Sequence, residues 1–193
     1  MATTETNQKV SILIVDDKEH NLIAMETLLS SLDQYIVRAS SGKEALKQIL
    51  RHDFAMILLD VMMSDMDGFE TAELIRQREK SQYIPIIFVT AIARDQQYAF
   101  KGYTSGAVDY IHKPIVAPIL LAKVKVFADL HRANQELKQQ QLELQKANIK
   151  LNNQIIERNK IENLERLALV ASKSFNAISI TDKEGKTEWA NEG

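Results

Sequence analysis

The 193-residue sequence contains no cysteine, and it has only six glycines and three prolines. The absence of cysteine excludes disulfide bonds and thiolate metal sites. Basic and acidic residues nearly balance, with a formal net charge of −2, so no general attraction to nucleic acid is expected. No run of about 18 apolar residues occurs, and the polar start MATTETNQKV lacks the apolar core of a signal peptide. We therefore expect a cytoplasmic protein that enters no membrane and binds no nucleic acid.

Short apolar segments alternate with segments of helical periodicity over the first two thirds of the chain. The predicted strands are residues 10–15, 35–39, 54–59, 85–90 and 108–111. The predicted helices are residues 21–32, 43–50, 69–80, 95–103 and a fifth helix that starts at Pro118. A strand followed by a helix, repeated five times, predicts an α/β fold with a doubly wound, five-stranded parallel sheet.

Polar residues follow several of these strands at the point where each strand ends. Asp16 and Asp17 come after the first strand and Asp60 after the third. Because ligands bind at the carboxyl ends of strands in open α/β sheets, we expect these carboxylates to converge there. Oxygen ligands of this kind suit Mg²⁺. Thr90 adds a hydroxyl after the fourth strand and Lys113 an ammonium after the fifth, a combination typical of phosphoryl transfer.

Each of these residues also has an ordinary structural interpretation. An aspartate at a strand end is more often a turn former or a helix cap than a nucleophile. Thr90 could likewise cap a helix, and Lys113 could be an ordinary surface lysine. The functional interpretation depends on the joint pattern of five suitable residues at strand ends.

Four segments in order, ILIVDD, ILLDVMMSDMDGFE, PIIFVTA and GAVDYIHKP, resemble the receiver domain of two-component response regulators. The predicted receiver domain is residues 9–127, preceded by a flexible tail of residues 1–8. The resemblance implies a flavodoxin-like (βα)₅ fold and bound Mg²⁺. It also implies a phosphoryl donor that is a sensor histidine kinase or a phosphotransfer protein. Asp60 is the expected phosphoacceptor, in a domain that is not itself an enzyme.

The resemblance also implies roles for the other residues around Asp60. The implied metal ligands are Asp16, Asp17, Asp60 and the backbone carbonyl of Met62. The implied phosphate-binding and switch residues are Thr90, Ala91, Lys113 and Tyr110. In this interpretation the aromatic ring turns inward when the threonine moves towards the phosphate.

The sequence departs from the family pattern at Ser64, where the family usually has proline. The exchange frees the loop backbone and is expected to remove no functional group. Met62 and Ile92 are apolar and are expected to lie near the phosphate, so we expect no positioned attacking water and a long-lived acyl phosphate.

Two other functions are alternatives to that of a receiver domain. An aspartate-based Mg²⁺ phosphatase would usually carry a second aspartate at position 62, and the methionine found there argues against that class of enzyme. A phosphorylation-independent dimerisation module with a degenerate acidic site is the remaining alternative.

Residues 128–170 are predicted to form a coiled-coil signalling helix. Leucines recur every seven residues, at Leu130, Leu137, Leu144 and Leu151, which is the coiled-coil period. If these are d positions, the a positions are Asn134, Gln141, Asn148 and Ile155. Asparagine at a with leucine at d favours a parallel homodimer. A single solvated helix acting as a linker is the alternative.

The last segment, residues 171–193, departs from the helical pattern. Its sequence AISITDKEGKTEWAN predicts a strand, a turn and a second strand, and it resembles the first two strands of a PAS sensor domain. The predicted function is a phosphorylation-dependent switch, which transmits its state through the dimeric coiled coil to a C-terminal PAS or effector region.

Overall fold

The computed structural model describes residues 8–91, 109–173 and 179–190. The chain divides into two compact units, Met1–Glu136 and Leu137–Gly193. The predicted helix 95–103 and all but one residue of the predicted tail lie outside the described residues. Among the helices that the structure describes, none combines the length and the apolar character needed to cross a membrane.

The first unit contains a five-stranded sheet in which every pair of neighbouring strands is parallel. The strands are β1 (Ser11–Val15), β2 (Tyr35–Ala39), β3 (Met56–Asp60), β4 (Ile86–Thr90) and β5 (Asp109–His112). Their spatial order is β2-β1-β3-β4-β5. All five residues of β3 and of β4 are buried, which fits central strands covered on both faces. The predicted doubly wound parallel sheet is therefore confirmed.

Three described helices connect strands of this sheet along the chain, and a fourth helix follows β5. They are α1 (Glu19–Leu29), α2 (Gly42–Arg51), α3 (Gly68–Arg76) and α4 (Ala117–Ser172). A single 3-10 turn, Ser30–Leu32, follows α1. Helix α3 ends four residues before its predicted end. Ser81 donates a hydrogen bond to the carbonyl of Ile75 at 2.7 Å, which satisfies one of the last carbonyls of that helix.

The core of the first unit forms two layers, one on each face of the sheet. Alternate residues of β1 point to opposite faces: Leu13 belongs to the layer that includes Phe69 of α3, and Ile14 to the layer that includes Val124 of α4. Burial on α4 extends only to its first turns, where Leu120, Val124 and Ala128 are the buried residues. The leucine row, defined as Leu130, Leu137, Leu144 and Leu151, is more than half exposed throughout.

The second unit contains the later part of α4 and a two-stranded antiparallel sheet. Its strands are β6 (Ser179–Thr181) and β7 (Thr187–Ala190). Gly185 lies in the turn between them with a φ of 81°, a backbone conformation that glycine adopts without steric cost. Asp182 accepts backbone hydrogen bonds from Glu184 and Lys186 in the same turn. The predicted sequence of strand, turn and strand is confirmed.

Candidate functional site

Three carboxylates converge at the carboxyl edge of the sheet, as the strand order requires. β1 pairs with β3 in a register that sets Val15 beside Leu59, so the residues that follow β1 lie next to the end of β3. Asp16, Asp17 and Asp60 each present a carboxylate oxygen within 4.8 Å of the other two. Asp16 is fully buried and Asp60 is only 3% exposed.

Lys113 connects two of these carboxylates. Its Nζ lies 2.9 Å from Oδ2 of Asp16 and 3.0 Å from Oδ1 of Asp60. The backbone N–H of Lys113 donates a hydrogen bond of 2.7 Å to the carbonyl of Thr90, the last residue of β4. This bond fixes the start of the loop after β5, and it positions the lysine at the same edge as the carboxylates. The structure therefore brings together the five residues that the sequence analysis selected.

Asp16 has more partners than the sequence analysis expected. Asn21 donates through Nδ2 to both carboxylate oxygens of Asp16, at 2.9 Å each, and the backbone N–H of Lys18 donates to Oδ1 at 2.9 Å. Asn21 is not among the predicted site residues, and its signal in the sequence is an amide near the start of a predicted helix. With Lys113 as a further donor, both oxygens of Asp16 are hydrogen-bonded.

Asp17 is the carboxylate of this cluster with an oxygen that is still able to accept a hydrogen bond or bind a metal ion. Its Oδ2 accepts a hydrogen bond from the backbone N–H of Ser64 at 3.0 Å. Its Oδ1 is buried and has no hydrogen-bond partner among the described residues. A buried acceptor without a donor is costly, and a bound cation removes that cost. The oxygen donors of this site fit Mg²⁺.

Ser64 changes the interpretation of the departure from the family pattern. Serine in place of proline removes no functional side chain from the site, as predicted from the sequence. The structure shows a further effect of this exchange. The backbone N–H of Ser64 donates to Asp17, and proline, which has no N–H, could not make this hydrogen bond. Serine at this position therefore supplies the loop with one more contact to a candidate metal ligand.

The charges of the site remain out of balance. Burial raises the pKa of Asp60 above its usual value, although the hydrogen bond and charge of Lys113 oppose that shift. Burial alone would lower the pKa of Lys113, but its hydrogen bonds and charge interactions with Asp16 and Asp60 outweigh burial and raise it. Among the described residues, three carboxylates face one ammonium, and a divalent cation would neutralise the difference.

The remaining predicted site residues lie around this cluster with different exposure. Met62 lies two residues after the end of β3, and its side chain is 60% exposed. Thr90 is 5% exposed, and Ala91 after it is exposed. The ring of Tyr110 is half-buried, with its centroid 5.7 Å from that of Phe88. Their metal-binding, phosphate-binding and switch roles stay predictions. Ile92 lies outside the described residues.

A parallel five-stranded sheet with an aspartate cluster and a lysine at its carboxyl edge defines the receiver class of signalling domains. The family model of the response regulator receiver domain matches residues 12–125. The chain belongs to the response regulator receiver domain family. Domains of this family act in phosphorylation-based signalling, and those with such an acidic cluster typically bind Mg²⁺.

Relatives and solved structures agree with this membership. A probable cyclic di-GMP phosphodiesterase from Vibrio cholerae is 35% identical over 122 residues, which are 62% of this chain and 27% of that protein. The signal transduction histidine-protein kinase BarA from Escherichia coli is 36% identical over 113 residues, 58% of this chain and 12% of BarA. A two-component response regulator from Clostridium difficile superimposes with a TM-score of 0.58 at 32% identity, covering 65% of this chain and 99% of that one. The chain spans about a quarter or less of these two curated relatives.

Proposed function

We propose that Asp60 accepts a phosphoryl group from a sensor histidine kinase or a phosphotransfer protein. The observation that carries this proposal is the sharing of Lys113 between Asp16 and Asp60, beside a buried Asp17 oxygen that has no donor. In the transfer, a P–O bond forms to a carboxylate oxygen of Asp60 as the P–N bond of the phosphohistidine breaks. The released imidazole nitrogen takes up a proton.

The residues around Asp60 supply positioning and charge in this proposal. Asp16, Asp17, Asp60 and the backbone carbonyl of Met62 would hold Mg²⁺, which when bound neutralises phosphoryl oxygens. Lys113 is already within hydrogen-bond distance of Asp60 and would pair with an oxygen of the phosphoryl group. Asn21 and Lys18 hold Asp16 in a fixed orientation.

The switch residues lie on two paired strands, because Thr90 ends β4 and Tyr110 lies on β5. In this proposal the hydroxyl of Thr90 and the backbone of Ala91 bond the phosphoryl oxygens. Tyr110 then turns inward beside Phe88, whose ring it already approaches. The buried position of Thr90 at the end of β4 and its pairing with β5 support this coupling, because a shift of one strand end moves its neighbour.

Incubation with Mg²⁺ and acetyl phosphate, followed by intact-mass measurement, tests the phosphoacceptor. We expect one added phosphoryl group on the wild-type chain, none on Asp60→Asn and none when EDTA removes the metal. Asp65→Asn is the matched control, because Asp65 lies in the same loop but pairs with Lys43 at 2.8 Å. Failure of the wild-type chain to be labelled, while a known receiver domain is labelled, would favour the degenerate module instead.

We further propose that the leucine row is the seam of a parallel homodimer. Its four residues are 51–62% exposed, which is a large apolar surface to leave in water. The a positions between them carry no charge. Asparagines at two of these positions favour pairing with their own counterparts, which fixes a parallel, in-register arrangement.

Sedimentation analysis of the full chain tests the dimer. We expect the wild type to sediment as a dimer and the double variant Leu137→Ala and Leu144→Ala to shift to the monomer. The control is Gln139→Ala with Lys146→Ala, which changes two f positions facing away from the seam. A wild-type chain that stays monomeric at high micromolar concentration would leave the single-helix linker as the better interpretation.

The C-terminal hairpin completes the proposal. We propose that residues 171–193 are the first strands of a PAS domain and that the switch acts on an output region of this kind. The confirmed strand, turn and strand support the assignment. The matched segments make up only 27% and 12% of the relatives named as a phosphodiesterase and a kinase, so each of those chains carries further regions beside its match.

A further inference from the structure

Helix α4 carries a second row of apolar side chains that the proposed dimer does not use. Leu142, Ile149 and Ile156 follow one another at seven-residue intervals and are 45%, 63% and 60% exposed. If the leucine row occupies d positions, these three residues occupy b positions, which face away from the partner in a two-stranded coiled coil. We call them the b row. It stays exposed to water when the dimer forms.

The side chains beside the b row are uncharged or positive. On a helix, the lateral neighbours of a residue lie three and four positions away. For the b row they are Lys138, Gln139, Gln145, Lys146, Asn152, Asn153, Asn159 and Lys160. None of them is acidic, and no ion pair in the described part of the chain involves one of these lysines. The b row is therefore an apolar strip with a positive border.

A second copy of the chain does not fit this strip. If the b row formed the d positions of a symmetric seam, Lys146 and Lys160 would occupy a positions and face their own counterparts. If it formed the a positions, Lys138 would occupy a d position. Like charges brought together in a seam repel one another, and a lysine in the core lowers stability. Charge complementarity instead requires a partner with acidic flanks.

We propose that the b row binds an amphipathic helix of another protein, one whose heptad-spaced apolar residues are bordered by aspartate or glutamate. The proposal rests on the proposed dimer, since the dimer occupies the leucine row. The b row extends over about 21 Å at 1.5 Å per residue, which matches four turns of a partner helix. One residue per heptad is narrow for a membrane surface, where the apolar face of a helix spans about 100° or more.

Two synthetic peptides test the proposal by fluorescence anisotropy with the full chain. One is a helical 21-residue peptide with leucine at a and d and glutamate at e and g, and the other has lysine in place of glutamate. We expect the acidic peptide to bind the wild type and the basic peptide to bind at least about ten-fold more weakly, a difference of about 1.4 kcal/mol.

Two triple variants and a matched control locate the binding surface. One variant replaces all three b-row residues by glutamine, and the other replaces Lys138, Lys146 and Lys160 by glutamate. Each variant should bind the acidic peptide at least about ten-fold more weakly than the wild type does. The control, Glu143→Gln with Glu157→Gln, changes charges at c positions and should not weaken binding. Circular dichroism must show unchanged helix content in every variant.

The outcomes separate this proposal from the proposed function. A wild-type chain that sediments as a monomer contradicts the dimer, whereas a dimer that fails to bind the acidic peptide contradicts the b-row proposal alone. Equal binding of the two peptides, or unchanged binding by both triple variants, also overturns it. Binding to phosphatidylserine vesicles without peptide binding would replace it by a membrane contact.

Discussion

Gly68 lies against the backbone of Asp60, with no room for a side chain between them. A Cβ atom at position 68 would lie 2.3 Å from the carbonyl oxygen of Asp60 and 2.9 Å from Cα of Val61. The N–H of Gly68 also donates to the carbonyl of Val61 at 3.1 Å. The first turn of α3 is thus packed directly on the end of β3, beside the proposed phosphoacceptor.

Gly68→Ala is therefore expected to destabilise the protein by about 1–3 kcal/mol, the usual cost of forcing an extra methyl group into a packed site. Helix propensity alone predicts the opposite sign, because alanine is the better helix former. Urea unfolding at pH 7 distinguishes the two effects. A variant as stable as the wild type would show that the backbone at position 68 can move away from Asp60 at little cost in free energy.

Magnesium is expected to stabilise the folded chain through the spare oxygen of Asp17. At a free Mg²⁺ concentration of about 100 times the Kd, the free energy of unfolding should rise by about 2.7 kcal/mol. Asp17→Asn should lose most of this increase, and Asp65→Asn should keep it because Asp65 pairs with Lys43 outside the cluster. Urea unfolding with Mg²⁺ and with EDTA measures the effect. An equal response in all three chains would rule out Asp17 as a metal ligand.

The start of α2 gives a prediction about pH. Glu44 accepts hydrogen bonds from the backbone N–H and the hydroxyl of Ser40, at 2.7 Å each, and these bonds lower the pKa of Glu44 below its usual value. A lowered folded-state pKa stabilises the protein above the unfolded pKa, and this stabilisation is lost as the pH falls through the folded pKa.

Glu44→Gln should therefore reduce the free energy of unfolding by about 1 kcal/mol at pH 7, and the difference from the wild type should shrink below pH 4.5. The control is Glu70→Gln, which removes a carboxylate from the first turn of α3 without touching Ser40. Unfolding curves between pH 3 and pH 7 measure the difference. If the difference in the free energy of unfolding between Glu44→Gln and the wild type stayed constant over this range, the stabilisation would not come from the ionised carboxylate of Glu44.

The exposed side chain of Met62 gives a prediction about the lifetime of the acyl phosphate. An apolar side chain beside Asp60 cannot position water by hydrogen bonding, so we expect the phosphorylated wild type to decay slowly. Met62→Asn should shorten the half-life roughly ten-fold, because the amide can hold a water near the phosphorus. Met62→Leu is the apolar control and should decay like the wild type. Intact-mass measurements over time give the half-life of the phosphorylated form. A wild-type half-life of only seconds would disprove the hypothesis.

The sheet and most of the site could be predicted because their signals are local in sequence. Each buried strand is a short apolar run, and the polar residue that ends it marks the carboxyl edge. Asp60 at the end of β3 and Lys113 directly after β5 illustrate this, since the parallel strand order brings them to the same edge.

The contacts that the sequence did not reveal depend on tertiary position. Asn21 has the appearance of an ordinary helix residue until α1 places it 2.9 Å from both oxygens of Asp16. Ser64 acts through its backbone N–H, which most residues possess, so its side chain carried no signal. At the early end of α3, the hydroxyl of Ser81 likewise donates to the carbonyl of Ile75, six residues earlier in the chain. Such contacts require the folded loops to be known.

The hydrogen bond from Lys113 to Thr90 joins the ends of β4 and β5, and α4 begins at Ala117, after only three intervening residues. Because this connection has only three residues, few bond rotations can absorb a displacement of the strand ends before it reaches the helix. The first turns of α4 also pack on the sheet through Leu120 and Val124. We therefore expect a change at the aspartates to reach this helix by two routes, the short connection and the packed core.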